Sequence, residues 1–257
     1  MDDSAPADDG WTTIGGSKAS RKSRVGAPKA NGPDRSITLE RLRQEFDKKS
    51  ALWKKSACRK SLLHMLKNNA PEKGWNFTKA VCLATGSFST GNSELNKRSM
   101  LQLACFVDLT SDMSRHSDEP LEIYAQEPNY TPLDSAFLST LNISVLPSDP
   151  MKDTSLGLAA QHFSPSTLLC SFFLNLNPIS ARQFFGAQHG LYVGTPFDQA
   201  FLDAEEHLRE VKGRFEREYV MRRFPWFGED PGVFEGLRVW WPEPGAEEEE
   251  EEAQKHG

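Results

Sequence analysis

Between Thr167 and Leu174 the chain reads TLLCSFFL, apolar at odd and even positions alike. A strand with two apolar faces must be covered on both, as happens in sheets with helices packed above and below. Other strand-like stretches end at Thr85 or run over Leu121–Gln126, Ile143–Leu146 and Leu191–Gly194. Helical patterns alternate with them. One starts at Asn92 or Ser93 and continues to Met113; another is capped by Thr131, with Pro132 at its first position, and covers Leu133–Leu141. The predicted fold is therefore α/β: a doubly wound, Rossmann-like three-layer sandwich with a mostly parallel sheet, an N-terminal helix and disordered termini.

From Thr38, or Ser36, a long amphipathic helix is predicted, with Leu39, Leu42, Phe46, Trp53 and Ala57 on one stripe and a break near Ser50. It resumes through Leu62, Leu63 and Leu66 to Asn68. Its polar face holds Lys48, Lys49, Lys54, Lys55, Arg59, Lys60 and Lys67, for which a solvated face is a commoner explanation than a phosphate-rich partner. Past the sheet, Thr195 with Pro196, or Asp198, opens another helix, striped with Phe201, Leu208, Val211, Phe215 and Tyr219. The aromatic stretch Phe224–Trp241 is predicted to be a strap packed over the domain rather than an exposed binding face.

The ends of the chain differ from its middle. Lys18, Arg21, Lys22, Arg24, Lys29 and Arg35 crowd an N-terminal arm, and Glu247–Glu252 is an unbroken acidic run. Such blocks repel themselves and carry little apolar surface to offset the entropy of ordering. Residues 1–35 are thus expected to be a disordered basic arm, 36–242 a folded domain, and 243–257 a disordered acidic tail. The interspersed Ser, Gly and Pro of the arm favour a solvated tail over a nuclear-import or nucleic-acid contact. Trp11 and Ile14 form an apolar island there that suits a short docking motif. No apolar run approaches the roughly 20 residues of a membrane span, and MDDSAPADDG lacks the apolar centre of a signal peptide. The expectation is an intracellular, soluble monomer with reduced cysteines at positions 58, 82, 105 and 170.

The candidate site is the loop after the first strand, in KAVCLATGSFSTGNS. Small residues between a buried strand and a helix start bring backbone N–H groups to a sheet edge. Gly86, Gly91, Asn92 and Ser93 fall one residue short of a phosphate-binding G-x-x-x-x-G-K-[ST] loop, with neutral Asn92 in place of the lysine, so nucleoside triphosphate hydrolysis is not expected. The dinucleotide pattern G-x-G-x-x-G is absent too. Two readings stay open: a nucleoside-like or methyl-donor ligand held by Thr85, Gly86, Ser87, Phe88, Ser89, Gly91 and Asn92 with Glu127 on the ribose, or a tight turn capped by Ser and Asn. Asp134 and Glu127 are a weak carboxylate pair for the same crevice. His64, His116, His162, His189 and His207 lack metal-ligand spacing and are expected to be surface or helix histidines. No nucleophile turn of the G-x-S-x-G type occurs, and the pattern names no cofactor.

CLATGSFS at the first strand, YAQEPNYTPLD at the second, LNISVL, TLLCSFFL and the arm's DGWTTIGGSK together resemble the SRR-like ("sensitivity to red light reduced") proteins, fungal members above all. The resemblance covers about Trp11–Ile14 and Lys79–Phe197. The family pattern C-x-G-x-G-S-F falls on Cys82, Ala84, Gly86, Ser87 and Phe88, and its Asp-Pro on Glu127-Pro128. Its Met-Pro-His-Cys box falls within Cys170–Asn177, where CSFFLNLNP preserves neither histidine nor exposed thiol. The resemblance implies a regulatory protein of cytoplasm and nucleus, linked in plants to light signalling and the clock and elsewhere to heme metabolism and cytoskeletal phenotypes. Two hypotheses follow: a non-catalytic interaction protein with protein partners, for which nucleic acid is a weaker candidate, or an enzyme or sensor binding a small ligand at Gly86–Ser93.

Overall fold

The computed structural model describes residues 36–115, 120–148, 155–172, 174, 176–195 and 206–243. Strands β1 (Lys79–Leu83), β2 (Glu122–Gln126), β3 (Ser144–Val145), β4 (Thr167–Ser171), β5 (Leu191–Gly194), β6 (Tyr219–Arg223) and β7 (Arg238–Pro242) form one sheet, ordered β3-β2-β1-β4-β5-β7-β6. The pairs among β1 to β5 are parallel, while β7 runs antiparallel to both β5 and β6. The chain steps outward from β1 to β3 and returns to β4 on the other side of β1. The strand order therefore reverses between β1 and β4, where open α/β sheets form their crevice.

Both faces of the central strands are buried, as the two-parity pattern requires. Ala80, Cys82, Leu168, Cys170, Leu191 and Val193 join one core with helices α1 (Leu39–Lys55), α2 (Ala57–Asn68) and α3 (Ser93–Ser114). Val81, Leu83, Leu169 and Tyr192 join the other, with helices α5 (Pro178–Gly186) and α6 (Glu206–Glu218) and the 3-10 turn Gly157–His162. Helix α4 (Pro132–Ser139) covers the β2–β3 end from the first side.

Several boundaries differ from the expectation, each for a local reason. The break between the first two helices is at Ser56, not Ser50. There one hydroxyl donates to the Trp53 carbonyl at 2.7 Å, closing α1, and accepts the Arg59 amide at 3.1 Å, opening α2. The break resets the apolar stripe, so Cys58 is buried and Ala57 exposed. β4 stops at Ser171, and helix α5 was not foreseen, although Asn177-Pro178 with Ser180 forms a capping box that announces it. The strap holds for Phe224, Phe227 and Phe234, the last two packing on Trp53 at centroid distances of 6.0 and 5.4 Å. Trp240 and Trp241, however, lie within β7, and Tyr219 opens β6 instead of continuing a helix. The arm through Arg35 with its Trp11 island, the helix start at Pro196 or Asp198, Phe201 and the tail from Pro244 lie outside the described residues. Among the described residues no helix is long and apolar enough to cross a membrane.

Candidate functional site

The chain leaves β1 through two left-handed residues, Ala84 at φ 55° and Gly86 at φ 75°. That double bend carries the loop across the end of β2 toward the start of α4, where two carboxylates receive it. Glu127 Oε2 accepts the Gly86 N–H at 3.1 Å, and its Oε1 accepts the amide and side-chain N–H groups of Asn129 at 3.0 and 2.9 Å. Asp134, wholly buried, accepts the Ser87 hydroxyl at 2.6 Å, the Phe88 N–H at 3.1 Å and the Thr131 N–H at 2.8 Å. The last of these is half of the capping box that starts α4.

The rest of the loop is tied in similarly. Thr85 Oγ1 and the Tyr130 hydroxyl share a hydrogen bond at 2.7 Å, as do the hydroxyls of Ser89 and Thr131. The Ser89 amide donates to Ser87 Oγ, Ser99 donates to the Thr85 carbonyl at 2.6 Å, and Asn96 bonds Thr90 through both its side-chain oxygen and nitrogen. Asn92 caps α3, its side-chain oxygen accepting the Leu95 N–H at 3.2 Å. Phe88 is buried against Tyr130 and Phe137, at 5.5 and 5.7 Å between ring centroids. The structure thus brings seven predicted residues, Thr85 to Ser89, Asn92 and Glu127, into one internally bonded loop, while Gly91 is exposed at its tip. Asp134, Ser99, Asn96 and Tyr130 do as much of the holding. The T-P-L-D capping box was the signal for Asp134; Ser99 and Asn96 sit inside a helical pattern that gave none.

Burial dominates the electrostatics. It holds the Glu127 carboxyl above the usual carboxylate range despite the amides that favour its charge, and it pushes the Tyr130 hydroxyl well above the tyrosine range. Cys82 and Cys170 face one another in the β1–β4 register, and burial raises both thiols far above the range in which a thiolate forms. Glu127 and Asp134 do meet the same loop, as the sequence suggested, but each oxygen of both already accepts a hydrogen bond.

Residues 42–199, more than half of the chain, match the family model of the SRR1 domain. The chain belongs to the SRR1 domain family. The match takes in all but the start of α1, then α2 to α5 and β1 to β5; it adds the two N-terminal helices to the stretch from Lys79 that the motifs covered and does not include the arm's DGWTTIGGSK, while α6, β6 and β7 follow it. No curated protein matches the chain. Within the SRR1 domain the bent loop sits where C-x-G-x-G-S-F was recognised. The segment from Cys170 to Asn177, which does not preserve the family's His-Cys box, starts within β4 at the strand-order reversal, and Cys170 is buried in the α1–α3 core.

A cleft of about 280 Å³ opens on the other side of the loop, between α1 and the start of α3. Phe88, Thr90 and Gly91 line it together with Arg41, Lys49 and Lys97, the last paired to Glu94 at 2.6 Å. Among the described residues no group of three or more His, Cys, Asp and Glu side chains is placed to hold a metal. Of the expected surface or helix histidines, His64 is exposed on α2. His189 instead is wholly buried before β5, in a cage of Phe163, Phe184 and Phe215. The sequence reading erred there because an imidazole with one bonded nitrogen packs as an aromatic ring.

Proposed function

We propose that this SRR1 domain protein is a non-catalytic regulatory protein of cytoplasm and nucleus that works by binding protein partners, its wound sheet serving as scaffold. One observation carries the reading. The loop amides that a nucleotide-binding sheet would present to an anion are here given to the protein's own carboxylates, Gly86 to Glu127 and Phe88 to Asp134. The outward side of α1 and α2 supplies contact surface, with Lys48, Lys54, Lys55, Lys60 and Lys67 all exposed.

The second reading, a nucleoside-like or methyl-donor ligand at Gly86–Ser93, is favoured by the cleft beside Thr90 and Gly91, whose volume is close to the lower limit for small-molecule sites. Thermal unfolding of the full chain with adenosine, S-adenosylmethionine and NAD separates the two. A bound ligand at a hundredfold excess over its Kd stabilises by roughly 2.7 kcal/mol. The interaction reading expects no saturable shift with any of them. A saturable shift that Lys97→Glu removes replaces it with the ligand reading. Gly86 is the wrong position for that control, because its φ of 75° strains any side chain and a Cβ there would meet Ser99 Oγ at 3.2 Å.

A further inference from the structure

Among the described residues, the hairpin after the matched domain leaves one edge of the sheet open. There β6 is the outermost strand and pairs with β7 alone; the opposite edge, β3, is two residues long. An open edge presents main-chain donors and acceptors to any extended segment that can lie along it. Met221, Arg222 and Arg223 are all exposed on this edge.

Its far end is aromatic and carries a net positive charge, with Arg223 and Arg238 against one carboxylate, Glu235. Arg223 and Arg238 are direct cross-strand partners, so their side chains leave the same face. Like charges placed opposite one another repel, and an anion between them removes that cost. Arg238 is held in place by its own guanidinium, which donates to the carbonyls of Gly236 and Leu237 at 2.8 and 3.0 Å. The pair lines a groove of about 570 Å³ that also contains Trp226. That indole is 66% exposed, although its neighbours fix the strap: Phe224 and Phe227 are buried, and the Pro225 carbonyl accepts the Cys58 thiol at 3.2 Å. A rigidly mounted, exposed tryptophan next to two in-register arginines suits an extended acidic segment.

The chain carries such a segment at the right place. β7 ends at Pro242, paired with Tyr219 at the start of β6, and the Glu243 amide donates to the Glu218 carbonyl at 2.7 Å. Glu243-Pro244-Gly245-Ala246 then has the Pro-Gly signature of a reversing turn, after which the sequence is Glu247–Glu252. Tyr219 to Arg223 spans about 13 Å of strand, and the six residues Glu247–Glu252 cover about 16 Å when extended, enough to run from a turn beside Tyr219 to Arg223. We propose that the acidic run Glu247–Glu252 of this same chain occupies the β6 edge and the Arg223–Arg238–Trp226 groove, so that any acidic partner segment must displace a tethered competitor. The inference stands apart from the function proposed above, since contact within one chain is measurable without a partner.

The test uses the full chain and a full-length variant in which all six residues Glu247–Glu252 are changed to Gln. The probe is a fluorescent synthetic peptide with the sequence of residues 243–257, followed by anisotropy in low salt. The variant should bind the peptide at least tenfold more tightly than the unaltered chain, because its own tail no longer competes. Adding Arg223→Glu and Arg238→Glu should abolish binding, and raising the salt to about 0.5 M should weaken it strongly. Equal affinity for both chains, or no binding by the Gln variant, overturns the proposal. So does sedimentation showing that the unaltered chain self-associates through Arg223 and Arg238, since the occupant is then a second copy.

Discussion

Asp134 and Ser87, 47 positions apart, meet at 2.6 Å in a buried contact. The same carboxylate also receives the Phe88 and Thr131 amides, so one side chain closes the loop after β1 and starts α4. Asp134→Ala leaves those donors buried without an acceptor, each costing about 1–3 kcal/mol. The expected loss is roughly 3–5 kcal/mol, against about 1–2 kcal/mol for Ser87→Ala, which removes the hydroxyl's bond to Asp134 and the acceptor of the Ser89 amide but leaves the Phe88 and Thr131 amides served. Urea denaturation of both variants checks this, and similar midpoints for the two would show that the carboxylate does not organise the loop.

Glu127 has a different signature because burial raises its folded pKa above the ordinary 4.5. A carboxyl that holds its proton more tightly when folded contributes stability below its unfolded pKa. That contribution is lost as the pH rises through the folded value. Glu127→Gln cannot ionise, so the wild type should lose stability relative to this variant on going from pH 4 to pH 7. Chemical denaturation of the pair across that range decides the matter, and a constant difference would mean that Glu127 titrates normally.

His189 works in the opposite direction. Its Nε2 bonds the Phe184 carbonyl at 3.0 Å, and burial lowers its folded pKa from 6.5 to about 4. The unfolded chain therefore takes up a proton first as acid is added, and stability falls between pH 6.5 and about 4. The full effect of such a shift is about 3 kcal/mol. His189→Phe keeps a ring in the cage of Phe163 and Phe184, 4.9 and 4.7 Å away, and removes the titration. The unfolding free energy of the wild type should fall relative to that of this variant by up to about 3 kcal/mol between pH 6.5 and about 4; parallel curves would refute the assignment.

Periodicity made the core of this fold legible and left its rim hidden. TLLCSFFL required a sheet covered on both faces, and Val81 and Cys82 do enter opposite cores. Asn92 and Thr131 announced helix starts through capping chemistry that is local in sequence. β6 and β7 were missed because YVMRR is a continuation of a charged helical pattern and RVWWP is an aromatic cluster among prolines. Only their pairing with each other and with β5 makes them strands. At the site, the sequence picked out the loop but not its state of occupation. Spacing along the chain cannot show that Glu127 and Asp134, 41 and 46 residues away from their partners, would fold back to satisfy the amides of Gly86 and Phe88.

Ala84 offers a sharper test of how this chain relates to the SRR-like pattern. Its φ of 55° lies in the left-handed region, where a Cβ crowds the following carbonyl at a cost of about 1–2 kcal/mol. The position coincides with the first glycine of C-x-G-x-G-S-F, and glycine takes up that conformation without steric cost. Ala84→Gly should relieve the strain, with about 0.4–1 kcal/mol given back because glycine makes the unfolded chain freer. The net expectation is a stabilisation of up to about 1 kcal/mol, and Ala84→Val should destabilise, since a branched side chain in this region is worse than alanine. Denaturant midpoints for the three chains would rank Gly above Ala above Val. If glycine came out below alanine, the bend at the end of β1 would not be the strained left-handed turn that lets Gly86 reach Glu127.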